Sequence, residues 1–415
     1  MHNKIPCLLY ADDLAIFSLT KAGLQNKLNI LNKYCETWGL QINSEKTKVV
    51  VFSKTEPKIP IVFRCGQHII ETVEEYKYLG IILNKTGRFT NAQEHLSKQA
   101  NKALHTLHRT FRKTEVNPDI ISNLYDVLIL PISTYGAEVW LPFQINQKQE
   151  FDACRFFDDC LSQKFPHEKL HTKFCKQLLG VHKKTMLLPV LGELGRFPTS
   201  LSVICRIINY WLHILELPET SHIRSIYQGV LQEPCCNHPW VSFLKGVLQV
   251  FGFNHIWKNQ STFNKSRLKF ALLQKLKTEY IHYWKEKMND SSKLLFYKTL
   301  VSDYKTADYL TAIRNRKYRN ALTKLRISAH DLQIEAGRYK NIPREKRICT
   351  KCEVLEDEYH FLDECKRYEQ LRNDLLHNIN LVNTGITKPS DLLFMPCLSF
   401  HLAEFVFQSF ACHIT

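Results

Sequence analysis

Two groups of side chains in this sequence have the type and spacing to do chemistry. The first is the pair Asp12-Asp13, set between the apolar runs Leu8-Leu9-Tyr10-Ala11 and Leu14-Ala15-Ile16-Phe17. Adjacent carboxylates offer hard oxygen ligands to Mg²⁺, and two such ions can stabilise both the attacking and the leaving oxygen of a phosphoryl transfer. The same pair also reads as the acidic turn of a surface hairpin, because aspartate side chains bond the local backbone of tight turns. The second group is Cys349-x2-Cys352-x7-His360-x4-Cys365. Three thiolates and one imidazole make a closed tetrahedral shell, the arrangement of structural zinc, with no position left open for catalysis.

The elements that must position these groups follow from periodicity. Each apolar run beside the aspartates is short enough for one strand, so strand, acidic turn and return strand form a hairpin whose arms are expected in a core. Leu24, Leu28, Leu31, Cys35 and Trp38 recur at helical spacing, and Gly39 stands where a left-handed cap is needed. Leu40–Asn43 and Val49–Phe52 read as short strands around Ser44-Glu45-Lys46-Thr47, and Tyr76–Leu83 as a further strand pair with a turn near Asn84 to Gly87. Ala92 to Lys113 is the clearest helix. Leu96, Ala100, Ala103, Leu104, Leu107 and Phe111 form its apolar stripe, while Lys98, Lys102, His105, Arg109 and Arg112 form a basic ridge on another face. Such a ridge can follow duplex phosphates with a salt-dependent, sequence-independent affinity; the alternative is a solvated face.

Asn117-Pro118 ends that helix. Leu128 to Trp140 reads as helix packing broken at Pro131, and residues 151–329 as helices alternating with short breaks, among them the stripe Leu268, Leu272, Leu276, Tyr280 and Trp284. Cys235-Cys236-Asn237-His238 is read as structural, since adjacent cysteines fit poorly around one ion. Arg314, Arg316, Lys317, Arg319, Lys324 and Arg326 form a basic segment. Arg344, Lys346, Arg347, Lys366 and Arg367 flank the cysteine cluster, as expected beside nucleic acid. His401 to Ile414 reads as one amphipathic helix.

A length of 415 residues allows two or three domains, and 44% apolar with 23% charged residues is the composition of a folded protein. Lys and Arg total 56 against 40 acidic residues, a net charge of +16, which favours a polyanionic partner, nucleic acid first. No apolar run reaches spanning length. The aspartates interrupt the amino-terminal apolar run where a secretory signal would continue, so a nuclear or cytoplasmic, non-secreted protein without membrane association is expected. Fourteen cysteines in a reducing compartment imply buried thiols or metal ligands.

Tyr10-Ala11-Asp12-Asp13 with its apolar flanks resembles the catalytic hairpin of reverse transcriptases, particularly those of non-LTR (LINE-type) retrotransposons. Gly39 to Thr47 is similar to the motif that follows the aspartates in that family, which implies a phosphate-side or proton-donating role for Lys46. Tyr78-Leu79-Gly80 matches the hairpin that grips the primer terminus. The basic helix has the position of a polymerase thumb, which implies template–primer contact by Lys98, Lys102, Arg109 and Arg112. The cysteine cluster resembles the Cys-Cys-His-Cys knuckle at the carboxyl end of LINE-type polyproteins.

The resemblance implies an α+β chain: a small β-hairpin and αβ palm remnant, then a mainly α-helical thumb and carboxyl-terminal region with the zinc knuckle. The expected divisions are 1–90 (second half of a palm), 91–150 (thumb), 151–330 (helical connector), 331–380 (zinc-knuckle region) and 381–415 (terminal helix). Mg²⁺ at Asp12 and Asp13, and Zn²⁺ at Cys349, Cys352, His360 and Cys365, are the implied cofactors; RNA and DNA, as template–primer, are the implied partners. The family also needs an earlier palm carboxylate and fingers, and only nine residues, none acidic, precede Tyr10. The expectation is therefore a portion of an RNA-directed DNA polymerase truncated just before the aspartates and unable to polymerise alone. A longer polyprotein or a complementing chain would complete it. A non-catalytic zinc-dependent RNA- or DNA-binding module and a non-functional relic are the alternatives.

Overall fold

A computed structural model describes residues 7–53, 62–111, 115–145, 150–232, 238–260, 264–380 and 385–414. The chain is mostly helical, with all seven strands of the described residues before residue 85. It divides into two compact units that are not contiguous in sequence. One comprises residues 1–96, 136–151 and 203–269, the other 97–135, 152–202 and 270–415. Among the described residues no helix is long and apolar enough to cross a membrane.

The first unit opens on a hairpin of β1 (Cys7–Tyr10) and β2 (Asp13–Ile16). Helix α1 (Lys21–Trp38) follows; Thr20 caps its start by accepting from the Gly23 N–H, and Gly39, at φ +63°, ends it as expected. A three-stranded sheet has β5 (His68–Val73) at its centre, parallel to β3 (Lys48–Val50) and antiparallel to β4 (Phe63–Cys65). α1 lies on β4, and Leu28 joins Val49, Phe63, Cys65 and Ile70 in a small core. Trp38 departs from the expected stripe: it is 67% exposed, beside Tyr34. A second hairpin pairs β6 (Glu75–Tyr78) with β7 (Ile81–Asn84). It turns at Leu79-Gly80, where both residues take positive φ (45° and 86°), as a tight two-residue turn requires, and the expected turn near Asn84 to Gly87 follows it, Gly87 N donating to the Asn84 carbonyl at 2.8 Å. Later helices of this unit are tied by Trp211 Nε1, which donates to Tyr227 Oη at 2.9 Å, and Trp240 Nε1, which donates to the Glu138 carbonyl at 2.8 Å.

The second unit is helical. It contains most of α2 (Thr90–Phe111), all of α3 (Pro118–Leu128), and the helices Pro166–Leu179, Arg316–Arg326 and Ser399–Ile414. Of the long Lys265–Asn289 stripe, Leu272, Leu276, Tyr280 and Trp284 are buried as expected. Two cations of the basic segment 314–326 are internal. Arg319 is buried and donates to the Ile313 carbonyl at 2.9 Å. Arg326 is buried and forks onto Glu193 through Nε (3.0 Å) and Nη2 (3.1 Å). A buried guanidinium needs such partners, so these two cations belong to the interior.

A buried polar cluster holds the Pro166–Leu179 helix. Ser200 donates from both N and Oγ to Glu168 Oε1 at 2.7 Å, which leaves Ser200 Oγ to accept from His167 Nε2 at 2.9 Å. Arg196 donates from Nε to His171 Nε2 at 2.9 Å and pairs with Asp126. Burial lowers His167 to about 4, so the ring is neutral in the folded protein. Because its ordinary value is near 6.5, the unfolded chain takes the proton first as pH falls, and stability is lost below about pH 6.5. The wild-type chain is expected to lose about 2 kcal/mol more than His167→Gln between pH 7 and pH 5. Denaturant melts at the two pH values check this; equal losses would refute it.

Candidate catalytic hairpin and metal centre

β1 and β2 pair in the register Leu9 with Leu14 and Tyr10 with Asp13, leaving Ala11 and Asp12 as the two-residue turn. Ala11 sits at φ +49°, a conformation that costs a non-glycine residue roughly 1–2 kcal/mol. Strain of this kind is held where a site needs a particular aim. Asp12 is at the tip and Asp13 begins the return strand, both exposed. The arms are not in a core as expected: Leu9 is 71% and Tyr10 67% exposed. A two-stranded ribbon has no layer of its own to bury its faces against, and α1 packs on β4.

Two solvent-facing carboxylates suit Mg²⁺, which is held by one or two carboxylates while keeping waters and substrate phosphate oxygens. Asp12 and Asp13 thus fit that ion. Lys46 lies in the turn before β3, exposed, with its backbone N–H held by Asn43 Oδ1 at 3.0 Å. Tyr78 ends β6, and Leu79 and Gly80 form the tip of the second hairpin. On α2, Lys98, Lys102, His105 and Arg109 are exposed, while Ala100, Leu104 and Phe111 are buried. Lys173 extends the basic surface, with its Nζ 2.7 Å from Asn101 Oδ1 and 3.3 Å from His105 Nε2. Arg112, and Cys235 to Asn237, lie outside the described residues.

The cysteine–histidine cluster brings four possible ligand atoms together. The ligand atoms of Cys349, Cys352, His360 and Cys365 all lie within 4.8 Å of one another. Cys365 Sγ is 3.8 Å from Cys349 Sγ and 3.9 Å from Cys352 Sγ. Thiolates bound tetrahedrally at about 2.3 Å from zinc stand about 3.8 Å apart. His360 is buried, and neither ring nitrogen has a hydrogen-bond partner. Buried polar atoms left in that state call for a ligand. The residues fit zinc.

Local backbone builds the centre. The Ile348–Leu355 bridge closes a small loop in which Cys349 N donates to the Val354 carbonyl and Glu353 N to the Cys349 carbonyl, with Glu353 at φ +61°. His360 starts a wide helical turn ending at Glu364, its N–H held by Asp357 Oδ1 at 2.9 Å. Arg372 donates to the carbonyls of Leu362 and Cys365, both at 2.8 Å. Burial, opposed by an Arg367 backbone bond and reinforced by the Cys349 thiol, pushes Cys365 up to about 12 when no cation is present; a bound dication reverses that preference. Between the ligands, Phe361 is buried against Phe405 and Phe410 of the last helix, and Tyr368 Oη lies 2.6 Å from His413 Nδ1. The centre is therefore a staple inside the second unit, and its aromatics face protein. The sequence offered no signal that the terminal helix would cover it.

Comparison with known proteins finds similarity over part of the chain. The family model for reverse transcriptase (RNA-dependent DNA polymerase) matches residues 1–83. A Caenorhabditis elegans protein whose name describes it as transposon-derived is 29% identical over 140 residues, covering 32% of this chain and 48% of its own length. In Drosophila melanogaster, the RNA-directed DNA polymerase from mobile element jockey is 29% identical over 141 residues, 32% of this chain and 15% of its own. A probable RNA-directed DNA polymerase from transposon BS is 27% identical over 139 residues, with the same coverage. These matches thus take in about half the length of the first relative and a small part of the other two.

Proposed function

We propose, from the chain's relation to the reverse transcriptases of LINE-type retrotransposons, that it forms part of an RNA-directed DNA polymerase. In this reading, residues 1–90 are the second half of the palm, 91–150 a thumb, 151–330 a connector, 331–380 the zinc region and 381–415 its covering helix. Template–primer, RNA paired with DNA, is the ligand. The observation that carries the reading is the pair of exposed carboxylates at a hairpin tip, Asp12 in the turn and Asp13 opening the return strand, within the segment that matches the family.

Asp12 and Asp13 would hold Mg²⁺ at the hairpin tip. When bound, that ion neutralises phosphate oxygens as charge develops in phosphoryl transfer. Lys46 meets the phosphates of the incoming nucleotide, and the Leu79-Gly80 turn meets the primer terminus. Lys98, Lys102, Arg109 and Arg112 track the backbone of the duplex, where each neutralised phosphate releases counterions. Two carboxylates make one wall of a two-ion site, so the 415 residues hold template–primer without extending it. Primer extension by the purified chain tests this. No product above that of Asp12→Asn is expected, and Asp12-dependent synthesis would refute the partial-wall reading.

A second reading, a zinc-dependent nucleic-acid-binding module without catalysis, is favoured by the exposed α2 cations and the formed metal centre. It makes the same binding prediction and differs only in giving Asp12 and Asp13 no metal.

A further inference from the structure

The segment Arg338–Arg347, just before the metal centre, carries Arg338, Lys340, Arg344, Lys346 and Arg347 against one acid, Glu345. In its midst Tyr339 ends a short helix with 69% of its surface in solvent. Lys293 Nζ stands 5.3 Å over the ring centroid and 3.1 Å from the hydroxyl, bracing one side of the ring. Glu335, buried below, pairs with both Lys293 and Arg338, at 3.3 Å each. Lys340, Arg344 and Lys346 are exposed.

The loop is held rigid from beneath. Ile342 N donates to the Gly337 carbonyl at 2.8 Å, and Asn341 turns the chain at φ +55°. Arg347, partly buried, donates from Nε to the Ile342 carbonyl (2.8 Å) and from Nη1 to the Ile334 carbonyl (2.9 Å). An exposed aromatic on a backbone held by hydrogen bonds, in a segment with three exposed cations, has the two parts of a single-strand platform: a π-face for a base and charges for its phosphates. Folding stability gains little from leaving a tyrosine ring so exposed.

We propose that Tyr339, with Lys340, Arg344 and Lys346, is a contact site for single-stranded nucleic acid, one base stacking on the Tyr339 ring. This rests on the reading that the chain binds nucleic acid, and it adds a single-strand site separate in sequence from the α2 ridge. The phenol ring stacks on any base and the cations meet only phosphates, so the site selects strandedness over sequence. The last turn of the segment leads directly into Cys349, so the zinc staple fixes the end of the platform.

The test is fluorescence anisotropy of the zinc-loaded full chain with a labelled oligouridylate of about a dozen nucleotides, within the ~4–16 nucleotide span of such sites. Tyr339→Ala is expected to weaken binding about tenfold, and Tyr339→Phe to leave it within about twofold, since stacking needs the ring and not the hydroxyl. Lys340→Gln should make the salt slope shallower by about 0.7. An oligodeoxythymidylate of the same length is expected to bind equally well. Wild-type binding that Tyr339→Ala leaves unchanged would overturn the platform while sparing the broader reading. No binding by the wild-type chain to this probe or to a hybrid duplex would overturn both. The exposed ring makes misfolding of the alanine variant no explanation; its melting midpoint should equal the wild type's.

Discussion

Cys365→Ser is expected to empty the metal centre and to lower the melting midpoint of the chain by about 10 °C or more. Cys365 Sγ is the shared vertex of the sulfur triangle, 3.8 and 3.9 Å from its two neighbours. A structural zinc contributes its binding free energy to folding, apparently about 10–16 kcal/mol in isolated zinc peptides. Here much of the surrounding packing would survive without metal, because Phe361 and Tyr368 pack on the last helix and Leu362 is buried. Even about 4 kcal/mol lost corresponds to about 10 °C in a unit of this size. Zinc content measured on purified protein should fall from about one ion per chain to none, while Cys397→Ser, an exposed thiol elsewhere, should change neither quantity. A chelator should reproduce the effect in wild type. Acid should do so too, because the thiolates and imidazole must lose their protons to bind. Metal content unaltered by Cys365→Ser would remove the centre.

The local geometry of these two groups is legible in the sequence for a local reason. Asp12 and Asp13 sit between apolar runs too short to be anything but strands, and four ligands within seventeen consecutive positions leave little freedom in how they meet. Gly39 was legible for the same reason, since only the next residue decides a helix cap. What escaped depends on partners far along the chain. Arg326 reads as a surface cation until Glu193, 133 positions earlier, is placed against it. Trp38 has the spacing of a core residue, yet α1 turns a narrower face, Leu28 and Cys35, toward the interior. The hairpin arms lie exposed although their composition is that of buried strands. The cluster around Glu168 was invisible because His167, His171, Arg196 and Ser200 are individually unremarkable residue types.

The second large effect concerns the α2 ridge. Lys98, Lys102 and Arg109 occupy one exposed strip of a helix whose opposite face is buried. Replacing all three by glutamine removes three cations and disturbs no core contact, so folding should change by less than about 1 kcal/mol. Each cation on a duplex phosphate contributes about 0.9 to the slope of log affinity against log salt. The triple variant should therefore show a slope shallower by about three, and bind about a hundredfold more weakly at low salt. Lys173, beside His105, gives some residual attraction. Charge-neutral replacement separates phosphate contact from a merely solvated face, for which neither slope nor affinity would move.

The most direct measurement is equilibrium binding of a labelled RNA–DNA primer–template to the purified chain across a salt series, wild type beside Lys98→Gln/Lys102→Gln/Arg109→Gln. Wild type is expected to bind tightly with a steep salt dependence, and the triple variant to show the shallower, weaker response. Superimposable curves, or no binding by wild type at low salt, would contradict it.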